Sequence, residues 1–132
     1  MTPLECMKNV YALMRQGNWS EVENCLSEDF TVYEPESLPF GGEWRGKDAL
    51  KRLFTAVMTT FDEPAVDPIE MSGGDEWANY ILHFSGTSKA TGKRSTYRVI
   101  ESAKVVEGVM RELHLHYFDT AKIVTDLSGE EA

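Results

Sequence analysis

Apolar positions recur at helical spacing in the first half of the chain and at strand spacing in the second. Leu4, Met7, Val10, Tyr11 and Met14 mark an opening helix. Thr2 suits its N-cap, Pro3 its first turn and Glu5 the reciprocal capping-box position, with Gly17 as the stop. A second, short helix is predicted from Ser20, with Glu23 three residues on and Val22, Cys25 and Leu26 as its apolar side. Phe30 to Glu34 reads as a strand ended by Pro35, and residues 35–46 as a loop rich in proline and glycine. Leu50, Leu53, Phe54, Val57, Met58 and Phe61 form one stripe at i, i+3, i+4, i+7, i+8 and i+11, the strongest helix signal in the chain. Pro64 and Pro68 are read as closing that region.

Strands are predicted for Val66 to Met71, Trp77 to Ser88, Ser95 to Val106 and Val109 to Tyr117. The breaks between them are short and carry glycine (Gly73-Gly74, Gly92, Gly108), so the strands should pair antiparallel as a meander. Asp119 to Leu127 fits either a last strand or a short helix. Helices followed by long strands imply an α+β domain with a curved, mostly antiparallel sheet. Three helices can cover only one face of such a sheet. That leaves room for a pocket beneath them and a free outer face for a partner.

At 132 residues the chain is expected to be one domain, 1–132. Thirteen Lys and Arg against 22 Asp and Glu give a net charge of −9, which argues against nucleic acid as a partner. No apolar run is long enough to span a bilayer as a helix, and the N-terminal MTPLECMKNV lacks the signature of a signal peptide. Cys6 and Cys25 are too few for a disulfide framework, so a reduced, cytoplasmic location is expected.

Four ionisable groups stand out. Glu34 ends the first strand before Pro35, where it is either a solvated strand-end carboxylate or a buried one. Glu101 lies in mid-strand, either outward and paired with Arg98 or Lys104, or inward. His114 and His116 are two residues apart and share one face of the last long strand. Strict alternation there groups Met110, Glu112, His114, His116 and Phe118 against Val109, Arg111, Leu113, Leu115 and Tyr117. Taken alone, that buries the odd set; with both faces covered, the histidines could line a polar pocket. The His-x-His pair with Glu101 is a weak metal signal, and no metal is expected. Cys6 lies on an amphipathic helix, where a small core residue is the plainer reading than a nucleophile. Trp44, Phe54 and Met58 are read as packing or as substrate contacts. There is no phosphate loop, dinucleotide fingerprint or hydrolase elbow.

The order of elements, with Gly17-Asn18-Trp19, Leu26 to Val32, Gly46 to Leu50, Thr91-Gly92-Lys93 and Tyr117-Phe118-Asp119, resembles the cone-shaped superfamily of nuclear transport factor 2, ketosteroid isomerase and the SnoaL-type polyketide cyclases. The resemblance implies a homodimer joined through the outer sheet face and a pocket between helices and sheet for a hydrophobic small molecule. It matches Glu34-Pro35 to the Asp-Pro of the isomerases and Glu101 to their protonated oxyanion-hole Asp. Their oxyanion-hole tyrosine falls on Val10, with Tyr11 beside it. It also implies that the even face of the last strand lines the pocket. On that basis Glu34, Glu101 and His116 are the expected catalytic groups, and Tyr11, Met14, Trp44, Phe54, Met58, His114 and Phe118 the expected substrate contacts. The implied chemistry is proton abstraction next to a carbonyl (isomerase, cyclase or a relative), with no cofactor needed. The alternative is a non-catalytic small-molecule-binding or dimeric interaction module.

Overall fold

In the computed structural model, which describes residues 1–129, helix α1 (Pro3–Arg15) begins with the anticipated cap. Thr2 Oγ1 accepts from the Glu5 amide at 3.1 Å, and Glu5 Oε1 accepts from the Thr2 amide at 2.9 Å. Helix α2 (Trp19–Asn24) starts one residue earlier than the sequence pattern places it. Asn18, not Ser20, is its N-cap, because the αL residue Gly17 turns the chain directly into Asn18.

Strand β1 (Leu26–Glu34) pairs with the short β2 (Gly42–Arg45), which lies inside the segment read as loop. The turn between them is tight at Gly41, where an added Cβ would lie 2.2 Å from the Pro35 carbonyl oxygen. This close approach brings Leu38 and Phe40 back into the core.

Helix α3 (Ala49–Thr60) carries the long apolar stripe except for Phe61, the first residue of β3 (Phe61–Gly73). Pro64 and Pro68 therefore lie within a strand and do not end a helical region. They are tolerated because β3 is an edge strand, and its register against β4 slips at Asp62/Ala65 and Pro68/Glu70. Strands β4 (Trp77–Ser88), β5 (Arg94–Val106) and β6 (Val109–Tyr117) complete the meander. The curved sheet has the order β2-β1-β6-β5-β4-β3, with β1 and β6 parallel and the other pairs antiparallel. The segment after β6 is a helix, α4 (Thr120–Ser128), capped by Asp119 and stopped by the αL residue Gly129.

The core lies between α1, α3, α4 and the concave sheet face, with Met7, Val10, Phe30, Val32, Met110, Leu113 and Ile123 fully enclosed. Helix α4 is latched by Asp126, a buried carboxylate that accepts from Tyr97 Oη at 2.9 Å and lies 2.8 Å from Lys93 Nζ. Burial alone would raise its pKa, but hydrogen bonds from Lys93, Ser95 and Tyr97 hold it below the usual range. Among the described residues, no helix is long and apolar enough to cross a membrane.

Candidate active site

The concave face and the helices enclose a chamber of about 440 Å³. The α3 stripe supplies one wall through Leu50, Leu53, Phe54, Val57 and Met58, and the sheet supplies the opposite one through Tyr80, Leu82, Phe84, Tyr97 and Val99. Phe61 closes the α3–β3 corner by packing on Gly86, where a Cβ would come within 2.8 Å of its ring. Ile123 of α4 reaches the chamber beside Tyr97. Phe40 enters it from the β1–β2 turn.

Into this apolar enclosure project two carboxyl groups. Glu34 is the last residue of β1 and is 6% exposed. Its Oε2 accepts from the Tyr117 hydroxyl at 3.3 Å, while the buried Oε1 has no hydrogen-bond partner among the described residues. Glu101, in the middle of β5, accepts from the Tyr11 hydroxyl of α1. Desolvation, the Glu101 charge next, pushes the Glu34 pKa up to about 8 against a weaker lowering by Tyr117. Desolvation likewise pushes Glu101 up to about 7, with Tyr11 opposing it. Burial and the neighbouring carboxyls hold the Tyr11 and Tyr117 phenols well above their ordinary value, so both stay protonated donors.

Of the residues singled out in the sequence, Glu34, Glu101, Tyr11, Met14, Phe54 and Met58 line the chamber. Trp44, His114, His116 and Phe118 do not. Trp44 pairs with Val32 and donates from Nε1 to the Phe40 carbonyl at 3.0 Å, so it supports the turn that carries Phe40 inward. The expectation that the even face of the last strand lines the pocket is overturned. Lys104 pairs with Glu112 but Val105 with Met110, which leaves Arg111 as an extra residue in β6. Alternation therefore breaks at Arg111. Met110 lies inward, and beyond the bulge Leu113, Leu115 and Tyr117 do.

Burying two leucines is worth about 3 to 6 kcal/mol, a gain that imidazoles in their place would forfeit while losing their own hydration. The histidines accordingly take the outer face. His114 stacks on Tyr33 with ring centroids 4.5 Å apart and lies 2.9 Å from Glu112. His116 is exposed, and Phe118, 73% exposed, packs under Arg98. Among the described residues, no group of three or more His, Cys, Asp or Glu side chains gathers as a metal site requires.

Val10 is in the core, and Tyr11 is the residue that reaches Glu101. Tyr117 was not among the expected site residues. The available signal was the apolar odd set of β6, in which Tyr117 follows Leu113 and Leu115.

The sequence profile of the SnoaL-like domain matches residues 7–113. No curated protein matches the chain by sequence. The structure is similar to a nuclear transport factor 2-like protein from Burkholderia thailandensis, with a TM-score of 0.86 and 19% identity over 97% of this chain and 98% of that one. It is also similar to TerC co-crystallised with polyporic acid, with a TM-score of 0.79 and 17% identity over 96% and 98% of the two chains. A third likeness is to a candidate SnoaL-like polyketide cyclase from Jannaschia sp. CCS1, with a TM-score of 0.78 and 12% identity over 98% and 97%. At such identities the structural likenesses speak for the fold. Together with the profile match over most of the sequence, they place this chain in the SnoaL-like domain family of the nuclear transport factor 2-like superfamily.

Proposed function

We propose that the chamber is the active site of an acid–base enzyme that removes a proton next to a carbonyl group of an apolar small molecule. One observation carries this reading: two carboxyls, each held by a tyrosine hydroxyl, have affinities for H⁺ raised into the neutral range inside an apolar enclosure. Between about pH 7 and 8 such a pair holds a single proton.

Glu34 is the base. Its Oε1 is buried in the chamber wall and free of hydrogen bonds among the described residues. It takes the α-hydrogen as a proton, and the C–H electron pair moves onto the carbonyl oxygen. Tyr11 donates to the resulting enolate oxygen. Glu101, when protonated, donates in turn to the Tyr11 oxygen, so that the hydrogen bond between them reverses direction. The proton on Glu34 is then returned to another carbon, or the enolate attacks a second carbonyl. Without substrate, the two carboxyls share their single proton. A carbonyl oxygen against Tyr11 favours its transfer to Glu101, because the Glu101 proton then has an acceptor chain. His116 has no part in this scheme, since it lies on the outer face.

The reading includes a homodimer formed through that outer face, supported by Trp77, Ile81, Ile100 and Phe118, large apolar side chains at 38 to 73% exposure. It also includes a reducing, cytoplasmic location, in keeping with free thiols at Cys6 and Cys25.

The test is exchange of α-hydrogens for deuterium, followed by NMR across a panel of aryl and polycyclic ketones. Wild type should exchange at least one of them, and Glu34→Gln should lower that rate by about 10² to 10⁴. Ketones that bind without exchange would identify a receptor rather than an enzyme.

A further inference from the structure

The chamber does not end at Glu101. Tyr80 stands beside Tyr11, with ring centroids 5.2 Å apart, and its phenol senses the opposing charges of Glu101 and Arg15. Among the described residues, Arg15 is the only cation on the chamber wall. Beyond it a shallower groove continues between α1 and β3, lined by Lys8, Arg15, Pro68, Ile69, Glu70, Met71 and Tyr80. Arg15, Pro68 and Tyr80 belong to both spaces, so the groove opens directly from the chamber.

The charges of this passage are unbalanced. Lys8 and Arg15 are exposed on α1, and neither ammonium nor guanidinium has a hydrogen bond or ion-pair partner among the described residues. Arg52 of α3, by contrast, is paired with Asp48 at 3.1 Å, and Lys47 with Glu28 at 3.3 Å. Among the described residues, the one opposing group within the groove is Glu70. Two cations against one carboxylate leave a single positive charge, in a protein whose net charge is −9. An unpaired guanidinium at the edge of an apolar cavity, next to a phenol, is a carboxylate receptor: its planar fork donates two parallel hydrogen bonds. One net charge suits a monoanion better than a phosphate dianion.

We propose that Arg15, assisted by Lys8, selects an apolar ketone bearing a carboxylate at the end remote from the reacting carbon, with the apolar body in the chamber and the carboxylate at the α1–β3 groove. This deepens the acid–base reading by naming the substrate class, and it rests on that reading only for the word ketone. The passage also orients the ligand. With the carboxylate at Arg15, the carbonyl enters first, toward Tyr11 and Glu34.

The experiment uses a matched pair, 6-acetyl-2-naphthoate and its methyl ester, which differ in the anion and one methyl group and carry the enolisable acetyl group at the end opposite the carboxylate. Binding is followed by calorimetry at low ionic strength, with wild type, Arg15→Gln, Arg15→Lys and Glu34→Gln. The expected result is that the acid binds wild type about tenfold more tightly than the ester. The preference should shrink with added salt, vanish in Arg15→Gln and partly return in Arg15→Lys. Glu34→Gln should keep the preference, which separates this inference from the catalytic one: an acid-over-ester preference in a wild type that exchanges no deuterium overturns only the acid–base reading. Equal binding of acid and ester to wild type, binding of neither, or equal loss of both in Arg15→Gln would overturn the role of Arg15.

Discussion

The Tyr11 hydroxyl crosses from helix α1 to donate to Glu101 on β5, joining residues 90 positions apart in the chain. Tyr117 does the same for Glu34, so each chamber carboxyl has one phenol. The two carboxyls flank Leu115. Glu101 pairs with Leu115 across β5–β6, and Glu34 lies one step beyond the Tyr33–His114 pair of β1–β6. Two strand spacings separate their backbones by about 10 Å, and the concave curvature tips the side chains toward each other. That separation leaves room for one ligand group between them.

Removing the Tyr11 hydroxyl tests the donor role directly. Tyr11→Phe should reduce the α-hydrogen exchange rate by about 10² to 10³. It should also raise the Glu101 pKa further above about 7, since Tyr11 is the group that opposes desolvation there. Carbon-detected NMR titration of the Glu side chains reads the shift, and an unchanged Glu101 titration would contradict the hydrogen bond.

Burial of the two carboxyls makes stability depend on pH in a defined direction. Both folded values, about 8 for Glu34 and about 7 for Glu101, lie above the ordinary 4.5, so the folded state holds these protons more tightly than the unfolded chain. Their contribution is fully present below pH 4.5 and is lost as pH rises through about 7 and 8. At about 1.4 kcal/mol per pKa unit, the loss is of order a few kcal/mol for each carboxyl. Glu34→Gln should match wild type in thermal midpoint near pH 5 and exceed it at pH 9. Parallel melting curves at all pH values would show that Glu34 is solvated.

Catalysis should follow the same pair. Exchange that requires one proton shared by two carboxyls gives a bell-shaped rate profile with its maximum between about pH 7 and 8. A rate that climbs steadily through pH 9 would mean that Glu101 is not needed in its protonated form.

The α4 latch is a separate matter of stability. Asp126→Ala leaves the buried Tyr97 phenol without its acceptor and removes the partner of Lys93. The cost should be about 1 to 3 kcal/mol in chemical denaturation. Because Tyr97 and Ile123 both line the chamber, ligand affinity should fall as well. Undiminished stability would mean that α4 contributes little to closing the wall.

The dimer can be tested at Ile100, 42% exposed on the outer face beside Ile81 and His116. Ile100→Glu places a charge in the centre of that apolar patch. The expected outcome is a monomer by analytical ultracentrifugation with an unchanged circular dichroism spectrum. A wild-type monomer at tens of micromolar would remove the dimer from the reading.

What was legible in the sequence was local. The capping box at Thr2 and Glu5, the α3 stripe from Leu50 to Met58 and the glycine turns at Gly92 and Gly108 each depend on neighbours a few residues away, and each appears where its pattern placed it. The alternation in β6, taken on its own, also put Leu113 and Leu115 inward and left the histidines outside. The family resemblance reversed that orientation, and the structure restored it.

Beyond reach were the features that depend on a second segment. Strand period tells which side chains share a face but not which face meets the helices, and a single bulge at Arg111 exchanges the faces partway along the strand. Pro64 and Pro68 looked like terminators because a lone segment cannot reveal that it will occupy a sheet edge. The chain by itself determined its helices, its meander and an apolar stripe waiting for a partner surface, since backbone geometry and side-chain period are properties of short segments. Only the tertiary structure decided that Tyr11 and Tyr117, and not His114 and His116, meet the two carboxyls, because that choice depends on how a curved sheet closes against three helices and which side chains can give up water there.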